Sequence, residues 1–205
     1  MPNDSIYGKY EAFLPLVLEE LSNKIRQADA IYRIRSGDPL FEHINARIKS
    51  EESAREKCRR KGWPETPRSV LYEMKDAVGI RLVCSFLEDI FETVKAIRGF
   101  SGVEVIEEKD YIKKVKPNGY RSYHMILDIE TPFEDVLGNV PGHYFAEIQL
   151  RTIAMDSWAA LEHQLSYKKN ISNPELIGAE LKRCADELAA CDVSMQTIRE
   201  LIRNS

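Results

Sequence analysis

The stretch from Tyr144 to Lys168, YFAEIQLRTIAMDSWAALEHQLSYK, constrains the fold of this chain more than any other. Between Tyr144 and Arg151 every second residue belongs to a buried set of Tyr, Ala, Ile and Leu, which is the period of a strand half buried in a sheet. The other set places Glu147, Gln149 and Arg151 together on the opposite face. We therefore expect a strand that carries a carboxylate, an amide and a guanidinium on one open face.

A helix is predicted to follow this strand directly. Thr152 can cap its first turn, and Lys168 and Lys169 suit the negative end of its dipole. Its apolar side chains recur at helical spacing and are Met155, Trp158, Ala159, Leu161 and Leu165. This stripe predicts that one face of the helix packs on the sheet.

Length and composition favour one domain that spans residues 1–205. The chain has 205 residues, of which 43% are hydrophobic and 30% charged, so it can bury one sizeable core and is short for two. No run approaches the about 18 apolar residues that a membrane span needs, and the start MPNDSIYGKYEAF lacks the features of a secretory signal. We expect a cytoplasmic protein.

Charge and cysteine content exclude two further classes. The net charge of -4 argues against broad coating of nucleic acid, because non-specific binding needs excess positive charge. The cysteines have no paired short spacing, and Cys184 and Cys191 lie seven apart on an apolar helical stripe. Buried thiols are therefore expected rather than a zinc site or disulfides.

The rest of the chain alternates between helical and strand periods. Helices are predicted at about 5–32, from Ser50, from Thr66 to Asp76, over 86–100 and over 177–202. Pro15 can kink or restart the first of them. Strands are predicted at 43–49, 78–84, 103–106 and 122–129. The last helix carries a heptad seam from Ile177 to Ile202. That seam is expected to pack along the first helix or to join subunits.

Polar residues of the first strand and the helix after it form a candidate ladder. Arg47 and Lys49 share one strand face, and Ser53 and Lys57 are four apart on one side of a helix. Lys49, Ser53 and Lys57 can therefore line up. A solvated face explains most lysines and serines on short helices, and on this stretch alone it is the favoured interpretation.

Arg81 stands inside the apolar run VGIRLVC, which predicts a central strand. A charged side chain in that place is costly unless it has a partner. The partner is either a neighbouring acid or a ligand, because a planar guanidinium stacks on bases and binds phosphates.

The segment Lys109–Arg121 is the most basic part of the chain, with five Lys or Arg against one Asp. Its Lys116-Pro-Asn-Gly119 sequence is turn chemistry and leaves Tyr120 beside the basic loop. An aromatic ring in such a loop can stack on a base while lysines meet phosphates, although an ordinary solvated hairpin has the same composition. His124, on the polar face of the next strand, is expected close to the loop.

Together these features favour phosphoryl chemistry. Asp76 and Glu147 are carboxylates at predicted strands, and carboxylates hold magnesium or accept a hydroxyl proton. The sequence has no P-loop, no kinase glycine loop and no dinucleotide fingerprint, so side chains must hold the phosphates. No local signature pairs a His with a Cys nucleophile, which disfavours acyl transfer.

Four segments in this order resemble the synthetase domain of the RelA/SpoT homologues: HINARIKS, KDAVGIRLVC, KDYIKKVKPNGYRSYH and AEIQLRTIAMDSWAALEHQLSYK. The resemblance covers roughly residues 7–170, and the length is similar to that of small alarmone synthetases. It implies an α/β (α+β) fold, a nucleotidyltransferase-like mixed β-sheet flanked by helices, with long N- and C-terminal helices. Residues 7–170 would be the catalytic core, and 171–205 a helix for packing or oligomerisation.

The resemblance also implies a reaction. Members of that family transfer the β,γ-pyrophosphate of ATP to the 3'-hydroxyl of GTP or GDP, which gives pppGpp or ppGpp and AMP. The chain would then be a Mg2+-dependent GTP diphosphokinase of the stringent response, and by the same resemblance a homotetramer. Its partners would be ATP and GTP or GDP, with no membrane.

Site residues follow from the same resemblance. Asp76 would hold magnesium, and Glu147 would activate the 3'-hydroxyl and help with the metal. The ATP site would consist of Arg47 and Arg81 around the adenine, with Lys49, Ser53 and Lys57 on the phosphates. The guanine-nucleotide site would consist of Tyr120 stacked on the base, with Lys113, Lys116, Arg121, His124 and Gln149 near the phosphates and Glu147. In this scheme Tyr120→Phe would be nearly silent, because only the ring is used.

The chain departs from the family in ways that bear on regulation. Small tetrameric members carry a Phe-Val-Thr-Gly stretch in an alarmone-binding cleft, where this chain has His43-Ile44-Asn45-Ala46, so feedback by (p)ppGpp is not implied. Asp156 stands where such members often have Asn. No His-Asp dipeptide occurs, and the length leaves no room for a hydrolase domain.

Two alternatives remain open at this point. Toxin members of the superfamily resemble the same motifs and pyrophosphorylate the 3' end of tRNA, and the basic loop suits either acceptor. Nucleic acid would be a partner only in that case. A catalytically dead nucleotide-binding module is the other alternative, which the presence of both Asp76 and Glu147 disfavours.

Overall fold

The computed structural model describes residues 5–166 and 173–205. A 3-10 helix, Gly8–Phe13, leads into α1, Leu14–Ser36, and strand β1 is His43–Ile48. Then come α2, Glu51–Lys61, a π-helical turn, Ser69–Glu73, β2, Val78–Cys84, and α3, Leu87–Ile97. The chain continues with β3, Val103–Asp110, β4, Tyr123–Thr131, β5, Gly142–Thr152, α4, Ile153–Ser166, and α5, Pro174–Arg203.

The five strands form one mixed sheet in the order β1-β2-β5-β4-β3. β2 and β5 run parallel side by side, and the other neighbouring pairs are antiparallel. This mixed sheet flanked by helices confirms the predicted fold class. The parallel pair lies in the middle of the sheet, so residues of β1, β2, β5 and β4 are brought side by side.

One face of the sheet is the core. On β5 the buried residues are Tyr144, Ala146, Ile148 and Leu150, as the alternation predicts. They join the buried side chains of α1 and α3 in one apolar cluster. A Leu or Ile buried there contributes about 1.5–3 kcal/mol, so this face fixes the register and turns the polar residues of each strand to the other face.

Several predicted boundaries agree with the structure. Ser50 caps α2 by accepting a hydrogen bond from the backbone N–H of Ser53, and Thr152 caps α4 by accepting one from Met155. The restart at Pro15 is also confirmed, because this residue stands in the first turn of α1. Lys168 and Lys169, expected at the end of α4, lie outside the described residues.

Two elements have other bounds than predicted. β3 extends to Asp110 instead of ending at Ile106, because a bulge between Val105 and Glu107 shifts the register and interrupts the alternation. The helix expected from Thr66 begins at Pro67 as predicted, with Thr66 Oγ1 accepting a hydrogen bond from the Ser69 N–H, but it becomes π-helical and ends at Glu73 instead of Asp76.

The seam predicted on α5 also differs from the buried face. The buried residues of α5 are Ala185, Asp192 and Arg199, whereas Ile198 and Ile202 of the seam are exposed. α5 packs mainly on α4 and α3 rather than along α1. The apolar pattern describes only part of the docking face: Leu188 is half-buried beside Met155 and Trp158 of α4, whereas Asp192 and Arg199 dock through polar contacts that hydropathy does not reveal.

The cysteines divide in the same way. Cys58 and Cys84 are buried free thiols, as predicted, and burial raises the pKa of both. Cys184 and Cys191 lie on the outer side of α5 and are exposed, which contradicts the prediction. Within residues 5–166 and 173–205, no helix is long and apolar enough to cross a membrane.

Candidate active site

Polar side chains of four strands meet on the face of the sheet opposite the core. Arg47 of β1 pairs with Gly79 of β2, which pairs with Glu147 of β5. One row further, the paired residues are Asn45, Arg81, Gln149 and His124. Gly79 has no side chain, so the space between Arg47 and Glu147 stays open.

A cleft lies over these rows. It is lined by Asn45, Arg47, Lys49, Asp76, Gly79, Ile80, Arg81, Glu147 and Gln149. Six of these nine lining residues are ones that the resemblance assigns to the site. The two arginines come from neighbouring antiparallel strands, so a flat group between them would meet a guanidinium on each side.

Asp76 anchors the basic side of the cleft. Its Oδ2 accepts a hydrogen bond from Lys57 Nζ at 2.6 Å and lies 3.4 Å from Lys49 Nζ. The preceding residue, Lys75, has a φ of 56°, a left-handed conformation that is uncommon outside glycine. Such local strain is typical of functional sites. Two lysines of the predicted ladder thus converge on one carboxylate.

The other oxygen of Asp76 bears on metal binding. Asp76 Oδ1 is buried and has no hydrogen-bond partner among the residues that the structure describes. The same residues contain no group of three or more His, Cys, Asp or Glu that could hold a metal ion. Magnesium is commonly held by one or two carboxylates together with substrate phosphates. Asp76 Oδ1 and Glu147 lie in the same cleft and are therefore suitable ligands for Mg2+. The phosphates of a bound nucleotide would supply the remaining ligands.

Glu147 is held in a closed ring of hydrogen bonds. His124 Nδ1 lies 3.1 Å from Glu147 Oε1, and Gln149 Nε2 donates to Oε2 at 2.9 Å. Tyr120 Oη lies 2.8 Å from His124 Nε2. Arg151 Nη2 closes the ring by donating to both Tyr120 Oη and Gln149 Oε1 at 3.0 Å.

The ring fixes the ionisation of Glu147. Burial raises the pKa of this carboxyl, but the interactions with His124, the hydrogen bond from Gln149 and the charge of Lys57 lower the pKa to about 2. An ionised carboxylate can only accept, so His124 Nδ1 carries the proton. With that tautomer each of the five bonds of the ring has a donor and an acceptor. Glu147 is thus held as an ionised carboxylate whose two oxygens both accept hydrogen bonds.

A second chain of contacts leads from the ring to Arg81. Arg151 Nη1 donates to Asp156 Oδ1 at 2.9 Å, and Arg81 Nη1 donates to the same oxygen at 3.3 Å. Arg81 therefore has the acidic partner that a charged strand residue requires, and it still lines the cleft. Asp156 comes from the first turn of α4, which lies beside β5 and β2.

The loop before β4 brings an aromatic cage next to His124 of the hydrogen-bonded ring around Glu147. Lys116 Nζ lies 4.4 Å from the ring centroid of Tyr111 and 4.6 Å from that of Tyr120. The two rings meet edge to face at 6.1 Å. A cation between two tyrosine faces marks a surface that can also take a flat base.

Among the described residues, three predicted site residues neither line the cleft nor contact the groups around Asp76 and Glu147. Ser53 is exposed on α2, where it bonds Ser50. Lys113 is exposed and lies near Asp110 and above the ring of Phe91. Arg121 points to α5, where it bonds the Ala185 carbonyl and the Asp186 carboxylate. The positions of Lys and Arg along a loop do not predict the direction in which each side chain points.

Three residues with contacts in the site were not assigned from the sequence. Arg151 and Asp156 connect the Glu147 ring to Arg81, and Tyr111 forms half of the cage. The strand period already placed Arg151 on the face of Glu147 and Gln149, so that signal was available. Nothing local marks Asp156 or Tyr111, because their partners are distant in sequence.

Comparison with known proteins shows the family to which the chain is similar. A family model described as a region found in RelA / SpoT proteins matches residues 46–172. GTP pyrophosphokinase YwaC of Bacillus subtilis is 38% identical over 183 residues, which cover 89% of this chain and 85% of YwaC.

Solved structures are similar over most of the chain. The small alarmone synthetase 1 of Bacillus subtilis bound to its product pppGpp superimposes with a TM-score of 0.79 and 32% identity, covering 95% of this chain and 98% of that one. The same synthetase bound to AMPCPP has a TM-score of 0.74 and 28% identity, covering 96% and 97%. The chain described here belongs to the RelA/SpoT family.

Proposed function

We propose that this protein is a GTP/GDP pyrophosphokinase that transfers the β,γ-pyrophosphate of ATP to the 3'-hydroxyl of GTP or GDP and releases AMP. The observation that carries the proposal is the ionised Glu147 in a cleft that an arginine pair also lines, with His124 bonded to its carboxylate and Tyr120 bonded to His124. YwaC is a GTP pyrophosphokinase, and the two similar structures hold pppGpp and AMPCPP. Those ligands support a donor and an acceptor that are both nucleotides.

We assign two halves to the cleft and the residues bonded to Glu147 beside it. Arg47 and Arg81 would hold the adenine, and Lys49 and Lys57 the ATP phosphates, because the latter two converge on Asp76. We name these residues the donor half. Tyr120, His124 and Gln149, with Lys116, would receive the guanine nucleotide and form the acceptor half.

Glu147 lies between the halves and is the proton acceptor in this account. The 3'-oxygen of the acceptor attacks the β-phosphorus of ATP, the bond from that phosphorus to the α-phosphate oxygen breaks, and AMP leaves. The proton of the 3'-hydroxyl goes to Glu147. Positioning and charge stabilisation supply most of the acceleration in phosphoryl transfer. The hydrogen-bonded ring around Glu147 contributes by fixing the position of its carboxylate.

Magnesium would be held by Asp76 and Glu147. When bound, the ion neutralises negative charge on the phosphates of the transferred group. The unpartnered Asp76 Oδ1 supports this assignment. Asp76→Asn should therefore raise the magnesium concentration needed for half-maximal rate, with partial rescue by manganese. Unchanged magnesium dependence in that variant would remove Asp76 from the metal site.

The experiment that tests the function is an acceptor panel. Purified protein is incubated with magnesium and ATP labelled in the γ-phosphate, and GTP, GDP, GMP, ATP or tRNA is offered in turn. Labelled pppGpp or ppGpp is the expected product, with AMP released in equal amount. Label on the tRNA 3' end would instead support the toxin-type reaction, and label on no acceptor would contradict transferase activity.

Residues 1–205 are proposed to act as one synthetase domain, with a catalytic core at 7–170 and the helix at 171–205 serving packing or oligomerisation. Contacts between α5 and α4 support the packing role, because Trp158 Nε1 donates to the Leu181 carbonyl at 2.8 Å. Exposed apolar residues of α5, among them Val193, Ile198 and Ile202, support a homo-oligomer, and the family suggests a tetramer. A monomer by light scattering at high concentration would contradict the assembly.

A further inference from the structure

We propose that Arg151 and Asp156 link the donor and acceptor halves of the cleft, so that a nucleotide in one half orients the residues of the other. Both are positioning residues, because they act through Arg81 on one side and through Tyr120 and Gln149 on the other. The inference rests on the proposed function for the identity of the two nucleotides. The contacts themselves do not depend on that identity.

Arg151 is the shared support of the acceptor half. Its side chain is 8% exposed, and one nitrogen, Nη2, donates to both Tyr120 and Gln149. Gln149 bonds Glu147 directly, and Tyr120 reaches it through His124. The guanidinium carbon also lies 5.3 Å from the ring centroid of Tyr120. A displacement of Arg151 therefore moves both branches of the ring together.

Asp156 is the point at which the two halves meet. One of its two oxygens, Oδ1, accepts a hydrogen bond from Arg151 and another from Arg81. One carboxylate therefore holds two positively charged guanidiniums close together. The position in the first turn of α4 favours a negative charge there. Arg81 reaches the cleft with 34% of its side chain exposed. If a nucleotide base binds Arg81 and breaks its hydrogen bond to Asp156, then Asp156 Oδ1 accepts a hydrogen bond from Arg151 alone.

The consequence is reciprocal coupling. If an adenine nucleotide changes the balance of hydrogen bonds at Asp156, it changes the orientation of Tyr120 and Gln149 by way of Arg151, and the reverse holds for a guanine nucleotide. Coupling between two ligand sites has the same magnitude in both directions and typically amounts to about 5- to 150-fold in affinity. A purely structural pair would stabilise the fold and leave the two affinities independent.

Titration calorimetry on the full chain with magnesium measures this coupling. The dissociation constant of AMPCPP is determined without and with saturating GDP, for the wild type, Asp156→Asn and Arg151→Lys. Asp156→Asn keeps the shape and removes the charge, and Arg151→Lys keeps the charge but lacks the planar fork that makes several bonds at once. The wild type should show coupling of at least about fivefold. Both variants should reduce it to near unity.

Steady-state kinetics distinguishes the link from a folding effect. Asp156→Asn should raise the KM for both nucleotides, whereas loss of folded protein would lower kcat alone. Asp128→Asn is the matched control, because Asp128 pairs with His143 on the same sheet face outside the cleft. The control should keep the wild-type coupling and both KM values.

Equal coupling in the wild type and in both variants would overturn the link, and so would a wild type without coupling. Should one variant fail to fold by circular dichroism, the other still decides the outcome. A wild type that couples the two nucleotides yet makes no alarmone would contradict the proposed function and leave the link standing.

Discussion

Tyr120 contributes its ring and its hydroxyl to different parts of the site. The ring faces Lys116 in the cage, while the hydroxyl bonds His124 and Arg151 in the ring that holds Glu147. The sequence predicts only a stacking surface, from which Tyr120→Phe would be nearly silent. The structure revises that expectation, because phenylalanine removes the oxygen that joins His124 to Arg151.

We predict different kinetic effects for two substitutions of Tyr120. Tyr120→Ala removes a stacking surface worth about 1–3 kcal/mol, so the KM for the guanine nucleotide should rise about ten- to a hundredfold and that for ATP little. Tyr120→Phe should keep that KM and lower kcat, because it opens the ring around Glu147. Initial rates at varied ATP and varied GTP or GDP measure both. Equal loss of ATP affinity in Tyr120→Ala would place the acceptor elsewhere.

At the scale of elements, the acceptor loop is held against α5. Gly119 has a φ of 91°, and a Cβ built on it would lie 2.6 Å from the Cβ of Ala185. Arg121 fastens the same place through the Ala185 carbonyl and Asp186. The long C-terminal helix therefore positions Tyr120, a role that its heptad pattern did not reveal.

Gly119→Ala tests this support. The added methyl has to push the loop off α5, so the KM for the guanine nucleotide should rise while AMPCPP binding stays near the wild-type value. Gly102→Ala is the control, since Gly102 also has a positive φ, 71°, but nothing lies within 4 Å of its added Cβ. The control should show the backbone cost alone, about 1–2 kcal/mol of stability. Similar acceptor KM values in both variants would argue against the α5 support.

The far end of α5 is anchored by a buried ion pair. Arg199 donates to Asp89 at the start of α3, and both side chains are almost fully buried. Arg203 makes similar contacts with Glu88 and Asp38 at the surface. These arginines join α5 to the body of the protein through charges rather than through an apolar seam.

Removal of one partner of the buried pair should be costly. Arg199→Leu leaves the Asp89 carboxylate without its ion-pair partner, and such changes destabilise by about 3–5 kcal/mol. Arg203→Ala breaks only exposed pairs and should cost about 1 kcal/mol or less. Urea unfolding followed by circular dichroism compares the two. Equal small losses would show that α5 is held by other contacts.

For the whole molecule, periodicity predicted the strands of the sheet and the face that each polar residue takes, whereas the roles of the candidate site residues came from the family resemblance. Alternation on β5 assigned Glu147, Gln149 and Arg151 to one face, and the sheet then placed Arg81 beside Gln149. Contacts between distant elements escaped prediction. Asp156 accepts a hydrogen bond from Arg81, 75 positions away. Cys184 and Cys191 are exposed because the buried residues of α5, Ala185, Asp192 and Arg199, lie one position further along the helix.

The proposed reaction depends on an ionised Glu147 that accepts the proton of the acceptor hydroxyl between the two nucleotides. Glu147→Gln isolates this step, because the amide keeps the size of the side chain and cannot accept that proton. Pyrophosphate transfer from labelled ATP and calorimetric binding of AMPCPP and GDP are measured on the same preparation. We expect that both nucleotides still bind and that transfer is lost. Transfer at the wild-type rate in Glu147→Gln would contradict it.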